Sequence, residues 1–372
     1  LKMNRITTLQ PWRAGKAVSF FCLNAPSSVR VLDKKWMKCI IIHVKCIIID
    51  YMHNRKGMTS MKKVFIDGAA GTTGLKIHER LAGREELQLI KLSEEKRKDP
   101  DAIREALNAS DIAFLCLPDS AAMEAADMVE NPDTVVLDTS TAHRTAKGWV
   151  YGMPELCTGQ REAIRTGKRI AVPGCHASGF IALVRPLMEG GFLSEDAALT
   201  CFSLTGYTGG GKRMIAQYEA EDRDPLLKAP RQYGLSQAHK HLPEMTAMTG
   251  LAVTPIFCPI VADFDQGMEV TVPLFTHDLK KDADPETLKE MYRAYYTTGV
   301  IRCLDEDEDG FCSASAFRGL DSMSITVRGN KDRILLIARY DNLGKGASGA
   351  AIQCMNLVLG AEETTGLVTR ND

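Results

Sequence analysis

Three things are scarce in this sequence of 372 residues: net charge, paired cysteines and long apolar runs. The 46 Lys+Arg balance 47 Asp+Glu to a formal charge of −1, with 45% apolar and 25% charged residues. That composition is ordinary for a globular chain and excludes a disordered acidic tail, a collagen-like chain or a polytopic membrane protein. Eleven cysteines without a Cys-x-x-Cys pair exclude a disulfide scaffold and suggest no zinc site, which fits a reducing cytoplasm. The run Ile40–Ile49 is broken by His43 and Lys45, far short of the roughly 20 apolar residues of a membrane helix. No membrane partner is expected.

The near-zero charge is a cancellation. Residues 1–60 hold eleven Lys/Arg against Asp33 and Asp50, a charge of +9, so residues 61–372 carry −10. A body at −10 is a poor partner for nucleic acid, whose affinity comes mainly from Lys/Arg–phosphate contacts. The first sixty residues read best as an over-extended gene start. The chain opens on Leu, a domain begins abruptly at Met61, and Arg55-Lys56-Gly57 suits purine-rich codons ahead of a start at Met58 or Met61. A functional leader is the other reading.

From Met61 a short apolar strand, Val64–Ile66, leads through Asp67 to Gly68-Ala-Ala-Gly71-Thr72-Thr73-Gly74 and a helical spacing at Ile77 and Leu81. Strand, glycine turn and helix in that order suit a dinucleotide's pyrophosphate. Missing side chains let the phosphates approach, and the helix start offers free N–H groups. The spacing is G-x-x-G-x-x-G rather than G-x-G-x-x-G, so a ligand-free turn is the competing reading. The next strand, 87–92, ends in Ser93-Glu94-Glu95-Lys96-Arg97-Lys98. A basic triplet favours NADP(H), with Ser93 and Arg97 near the 2′-phosphate, although the two glutamates would equally suit a solvated charged loop. Helices over 101–109 and 120–130 alternating with strands at 112–117, 135–137 and 169–172 predict a parallel, doubly wound Rossmann sheet.

Pro173-Gly174 ends that last strand, and Cys175-His-Ala-Ser-Gly179 opens an apolar helical stretch. A cysteine at a helix N-terminus is expected to have a lowered pKa and amides for an oxyanion nearby. Far downstream, His239-Lys240-His241-Leu242-Pro243-Glu244 offers two imidazoles and a carboxylate, so Cys175 and His239 fit a nucleophile and its base. His143 and His176 compete for the role of base, and H-x-H could bind metal, but no further ligand cluster completes a site. Beyond Cys175, spaced strands at 198–204, 270–274, 323–327 and 334–340 with a helix at 285–296 predict an antiparallel or mixed sheet with helices on one face. Such a sheet often carries a subunit interface. The acidic run 305–309 reads as a solvated loop.

Seven stretches in order resemble the shorter bacterial form of the N-acetyl-gamma-glutamyl-phosphate reductases: MKKVFIDGAAGTTG (61–74), LDTSTAHR (137–144), YGMPEL (151–156), VPGCHASG (172–179), TGYTGGGK (205–212), HKHLPEM (239–245) and NLGKGASGAA (342–351). The resemblance implies an NADP-binding Rossmann domain over 61–172 and an α+β catalytic and oligomerisation domain over 173–343. A C-terminal helix, 344–360, would pack back on the first domain. It further implies NADPH-dependent reduction of N-acetyl-L-glutamyl 5-phosphate to the 5-semialdehyde in arginine biosynthesis, through a Cys175 thioester with His239 as proton relay. Ser140, Arg144, His241 and Glu244 would bind substrate. Gly68, Gly71, Thr72, Thr73, Gly74, Ser93, Arg97 and Asn342 would bind the cofactor, with Gly209–Gly211 and Lys212 as a second turn. A homo-oligomer, dimer or tetramer, would follow. Another acyl-phosphate reductase such as aspartate-semialdehyde dehydrogenase, a Cys-His thiol hydrolase and a non-catalytic NADP-binding regulator are the alternatives.

Overall fold

The computed structural model describes residues 61–305 and 308–370; the readings of residues 1–60 lie outside them. Strand β1 (Lys62–Asp67) buries its last four residues and feeds α1 (Thr72–Leu81), which buries Gly74, Ile77 and Leu81. There follow β2 (Leu87–Ile90), α2 (Pro100–Ala109), β3 (Ile112–Leu115), α3 (Asp119–Asp127) and β4 (Val135–Asp138). The first half closes with β5 (Val150–Tyr151), α4 (Gln160–Thr166) and β6 (Arg169–Ala171). Asp99 starts α2 by accepting the Asp101 amide at 3.0 Å, with Pro100 at the first helical position, where its missing N–H costs nothing. The sheet order is β2-β1-β3-β4-β6-β5 and every pairing is parallel. Every residue of β3 and β4 is buried, as strands covered on both faces require. The chain leaves β1 first toward β2 and then toward β3, so a crevice opens at the carboxyl ends of β1 and β3.

Helix α5 (Cys175–Glu189) is the spine of the second half, with His176–Val184 buried without a break. Pro186 cannot donate to the Ala182 carbonyl one turn earlier. The Tyr296 hydroxyl donates there instead, at 2.8 Å, which satisfies the freed acceptor. The remaining elements are β7 (Thr200–Gly206), α6 (Gly211–Glu219), β8 (Arg231–Gln232), α7 (Leu242–Thr249), β9 (Ile256–Ala262) and β10 (Met268–Phe275). They continue with α8 (Pro285–Tyr295), β11 (Ile301–Cys303), β12 (Met323–Gly329), β13 (Arg333–Tyr340) and α9 (Gly349–Leu359). The second sheet runs β11-β12-β13-β10-β7-β9-β8, with β7–β9 and β11–β12 parallel and the other pairs antiparallel. It is therefore mixed. Its inner face packs Cys201, Phe257, Val270, Val272 and Leu336 against Phe180, Val184 and Leu187 of α5 and Leu288 and Tyr292 of α8.

Strand β9 was not expected from the sequence, because Pro259 lies inside it. The proline is tolerated because β9 has only the two-residue β8 as its outer neighbour. The described residues of the acidic run, 305, 308 and 309, are exposed outside regular structure as a solvated loop requires, and two of them also pair with cations. Asp305 pairs with Lys289 at 2.9 Å and with Arg328, and Glu308 reaches the buried Arg339 at 2.6 Å. Helix α9 returns to the first half, where Ala350, Ala351, Ile352, Cys354 and Met355 join Val64, Ile77, Ile164 and Ile170 in one core.

Candidate active site

Cys175 is the first residue of α5, with Gly174 as an extended N-cap. The nucleophile's backbone is held from behind. The Tyr340 hydroxyl donates to the Cys175 carbonyl at 2.5 Å and accepts the Gly179 amide at 3.0 Å. The thiol itself differs from expectation: burial pushes it above its ordinary value. Arg144, the His176 amide and Lys240 pull the other way without reversing the shift. Dipole and cations soften a desolvation penalty rather than lower the pKa outright. A thiol shifted in this direction is a weaker source of thiolate, so a base beside it would favour its use as a nucleophile.

Behind Cys175 lies a buried cluster. Arg144 donates from Nε to the Val172 carbonyl (2.9 Å), from Nη2 to the Thr139 carbonyl (3.1 Å) and from Nη1 to Glu244 Oε1 (2.6 Å). Glu244 Oε2 accepts the Tyr151 hydroxyl (2.7 Å) and the Gly174 amide (3.1 Å). A side chain on Gly174 would fall inside contact distance of Arg144 Nη1, Glu244 Oε1 and His241 Nε2, so only glycine fits. Glu244, expected on the substrate side, is 1% exposed and does not line the cavity; Arg144 does. Its two oxygens are already occupied by neighbours that hold the nucleophile loop. Ser140 also lines the cavity, but its hydroxyl donates to Asp138 Oδ2 at 2.7 Å. The same carboxylate oxygen takes His143 Nδ1 at 2.7 Å, and His143 stacks on Trp149 at 3.9 Å, outside the cavity.

Three imidazoles cluster beside Cys175. His176 spends both ring nitrogens, Nδ1 on Ser203 Oγ and Nε2 on the Tyr233 hydroxyl, each at 2.6 Å, and burial lowers its pKa to about 3. His241 is buried, with its pKa held far below the usual range first by burial and then by Arg144. Its Nδ1 has no partner. His239 is half-buried, shifted down by burial, Lys240 and Arg144, and lies 4.8 Å from the His241 ring. The His241 amide donates to His239 Nδ1 at 3.2 Å, a bond that puts the neutral ring's own hydrogen on Nε2. Of the four histidines considered from sequence, His239 and His241 both line the Cys175 cavity with no side-chain hydrogen bond on the ring, and of the two His239 is the half-buried one while His241 is buried.

That cavity, about 590 Å³, also receives Gly71, Thr72 and Thr73 from the start of α1, Gly209–Gly211 from the turn before α6, and Asn342. Gly68 and Gly74 lie beneath it. Gly68 has φ +76° and its added Cβ would strike the Cys116 carbonyl, while one on Gly74 would strike the Gly68 carbonyl. These two glycines close the β1–α1 turn rather than face a ligand, as in dinucleotide loops. Asn342 is committed at both ends, Nδ2 donating to Thr208 Oγ1 (3.0 Å) and Oδ1 accepting the Gly267 amide (2.9 Å). Ser93 and Arg97 are exposed beyond β2, outside this cavity, and Arg97 pairs with Glu94 at 2.9 Å. Lys212 is exposed and does not line the cavity. Among the described residues no group of three His, Cys, Asp or Glu could hold a metal ion. Tyr233 and Tyr340 escaped the sequence reading because neither lies in a motif.

Known proteins match this architecture closely. The family model for the semialdehyde dehydrogenase NAD-binding domain matches residues 63–166, and that for the semialdehyde dehydrogenase dimerisation domain matches 175–342. N-acetyl-gamma-glutamyl-phosphate reductase 2 of Nostoc sp. is 43% identical over 318 residues, covering 82% of this chain and 99% of that protein. The N-acetyl-gamma-glutamyl-phosphate reductase of Rhizobium meliloti is 43% identical over 307 residues, covering 80% and 99%. Among solved structures, aspartate semialdehyde dehydrogenase II of Vibrio cholerae complexed with ASA superposes with a TM-score of 0.64 at 16% identity, over 81% of this chain and 99% of that one.

Proposed function

The chain belongs to the N-acetyl-gamma-glutamyl-phosphate reductases of the semialdehyde dehydrogenase family and is an oxidoreductase with a nicotinamide-dinucleotide domain; on that premise we propose that it reduces N-acetyl-L-glutamyl 5-phosphate with NADPH, in arginine biosynthesis. The observation that carries the reading is the shared cavity. The Cys175 thiol, the His239 ring and the glycine-threonine start of α1 all open into one space between the two sheets.

The turn at Gly68–Gly74 fits a pyrophosphate because its Cβ-free path lets backbone amides approach, and Thr72 and Thr73 begin the helix. Gly71, Thr72 and Thr73 would hold the phosphates, and Ser93 and Arg97 the 2′-phosphate. When bound, NADPH supplies hydride to the substrate's carbonyl carbon.

This chain's residues do the rest. His239, once its ring hydrogen has moved to Nδ1 in place of the bond from the His241 amide, takes the Cys175 proton on Nε2. The thiolate sulfur attacks the acyl-phosphate carbonyl, whose oxygen would face the first-turn amides of α5. Phosphate leaves with its electron pair, and the acyl group stays on sulfur as a thioester. After hydride arrives, the carbon–sulfur bond breaks, aldehyde departs, and the His239 proton returns to Cys175. The acyl phosphate is already activated, so no metal is required. Arg144 and Lys240 supply the positive field for phosphate and the substrate carboxylate. Exposed Phe202, Ile256 and Leu335 share the outer face of the mixed sheet, which supports a homo-oligomer, dimer or tetramer, joined there. The reducing cytoplasm suits an unpaired catalytic thiol.

The test is the reverse reaction, phosphate-dependent reduction of NADP+ with N-acetylglutamate semialdehyde. Turnover lost in Cys175→Ser supports the reading. Turnover equal to wild type in that variant, or activity with aspartate semialdehyde alone, overturns it.

A further inference from the structure

Residues 344–348 form a π-helical turn, with the amides of Gly346, Ser348 and Gly349 donating five residues back to Asp341, Leu343 and Gly344. Such turns are rare, poorly favoured and concentrated at functional sites. This one presses against the nucleophile: a Cβ on Gly346 would lie 3.0 Å from the Cys175 Cβ. Gly346 and Ala347 form part of the cavity wall. The turn therefore decides where the Cys175 side chain can stand.

What holds the turn is a buried ion pair between the two halves of the fold. Lys345, flanked by Gly344 and Gly346, is 2% exposed, and its Nζ donates to Glu155 Oε1 and Oε2, each at 2.9 Å, and to Gln353 Oε1 at 2.5 Å. Gln353, on α9, donates to Glu155 Oε1 at 2.7 Å and to Glu363 Oε1 at 2.7 Å. All three ammonium protons are satisfied. A buried pair like this adds little net stability over an apolar substitute, and its best-attested use is to fix one register. None of Lys345, Glu155 and Gln353 lines the cavity. We propose that Lys345, held by Glu155 and Gln353, is a positioning residue: it locks the π turn so that Gly346 sets the Cys175 thiol at its attacking position.

The inference rests on Cys175 being the nucleophile, and the experiment separates the two. The full chain carries the double substitution Lys345→Met and Glu155→Gln, which removes both charges together. Iodoacetamide alkylation of Cys175 against pH reads the thiol's setting without substrate or cofactor. A variant that melts like wild type should shift its alkylation midpoint by about half a pH unit or more. Its kcat should fall by about tenfold to a hundredfold, with the NADPH KM little changed, as for a small misplacement of a reacting group. If the double variant does not fold, Gln353→Met keeps the ion pair, removes one Nζ acceptor and should move both readouts the same way by less. A folded variant with an unchanged alkylation profile and kcat overturns the proposal. Wild-type protein inactive with NADPH and the acyl phosphate would instead defeat the assigned reaction.

Discussion

Glu244 and Arg144 meet at 2.6 Å, with side chains 1% and 7% exposed, and Glu244 turns its second oxygen to the amide of Gly174, the residue before the nucleophile. A carboxylate so placed acts on the reaction through the loop it holds. Removing it in Glu244→Ala strands the Arg144 guanidinium, a loss of about 3–5 kcal/mol for a broken buried pair. Denaturant unfolding should show that loss together with a fall in kcat. A direct substrate contact would instead raise KM at unchanged stability. Glu244→Gln, which keeps acceptors for Gly174 and Tyr151, should fall between.

The Cys175 thiol sits above its ordinary value because burial outweighs the nearby cations. In the free enzyme its alkylation should therefore keep accelerating with pH past the range where an exposed cysteine levels off. Lys240→Ala removes one cation that favours the thiolate, so at fixed pH alkylation should slow further. Alkylation that saturates near neutrality would mean that the resting enzyme carries a thiolate.

The strand–glycine–helix start, the parallel sheet and the place of Cys175 at a helix start were legible because each depends on residues adjacent in sequence or on one recognisable motif. What was not legible depends on burial and on distance along the chain. The expectation of a lowered Cys175 pKa took the helix dipole from local sequence, but how deeply the thiol lies is settled by segments such as 340–346. Glu155 and Lys345 lie 190 residues apart, so neither polar residue announces a buried pair. Glu244 has the right chemistry for a substrate contact, and only its bonds to Tyr151 and Gly174 show which way it faces. Strand β9 stayed hidden because Pro259 argues locally against a strand.

The cofactor's phosphate should be felt at an exposed site. Arg97 now pairs with Glu94 at 2.9 Å, a surface contact of small worth. A 2′-phosphate would draw it away, and a charge-assisted hydrogen bond there corresponds to about tenfold in affinity. Arg97→Ala should thus raise the KM for NADPH about tenfold while leaving that for NADH unchanged. Glu94→Gln, which frees the guanidinium, should lower it. Equal effects on both cofactors would remove Arg97 from 2′-phosphate recognition.

The histidine cluster sets a pH window for stability. His176 titrates at about 3 in the folded chain against an ordinary 6.5, and His241 and His239 are shifted the same way, all with burial as the first cause. The unfolded chain takes up protons that the native protein refuses, so unfolding free energy must fall as pH drops through 6.5, and for His176 the fall continues toward 3. Each histidine fully titrating only when unfolded contributes a slope of about 1.4 kcal/mol per pH unit. Between about pH 6.5 and 5, above the range in which most carboxylates protonate, the slope should therefore come mainly from these rings. Urea unfolding across that window measures it directly. His176→Phe gives up the bonds to Ser203 and Tyr233, so it should be less stable at pH 8 yet show a shallower slope. An unchanged slope in that variant would mean that His176 already carries a proton in the native protein, contrary to its burial between two hydroxyls.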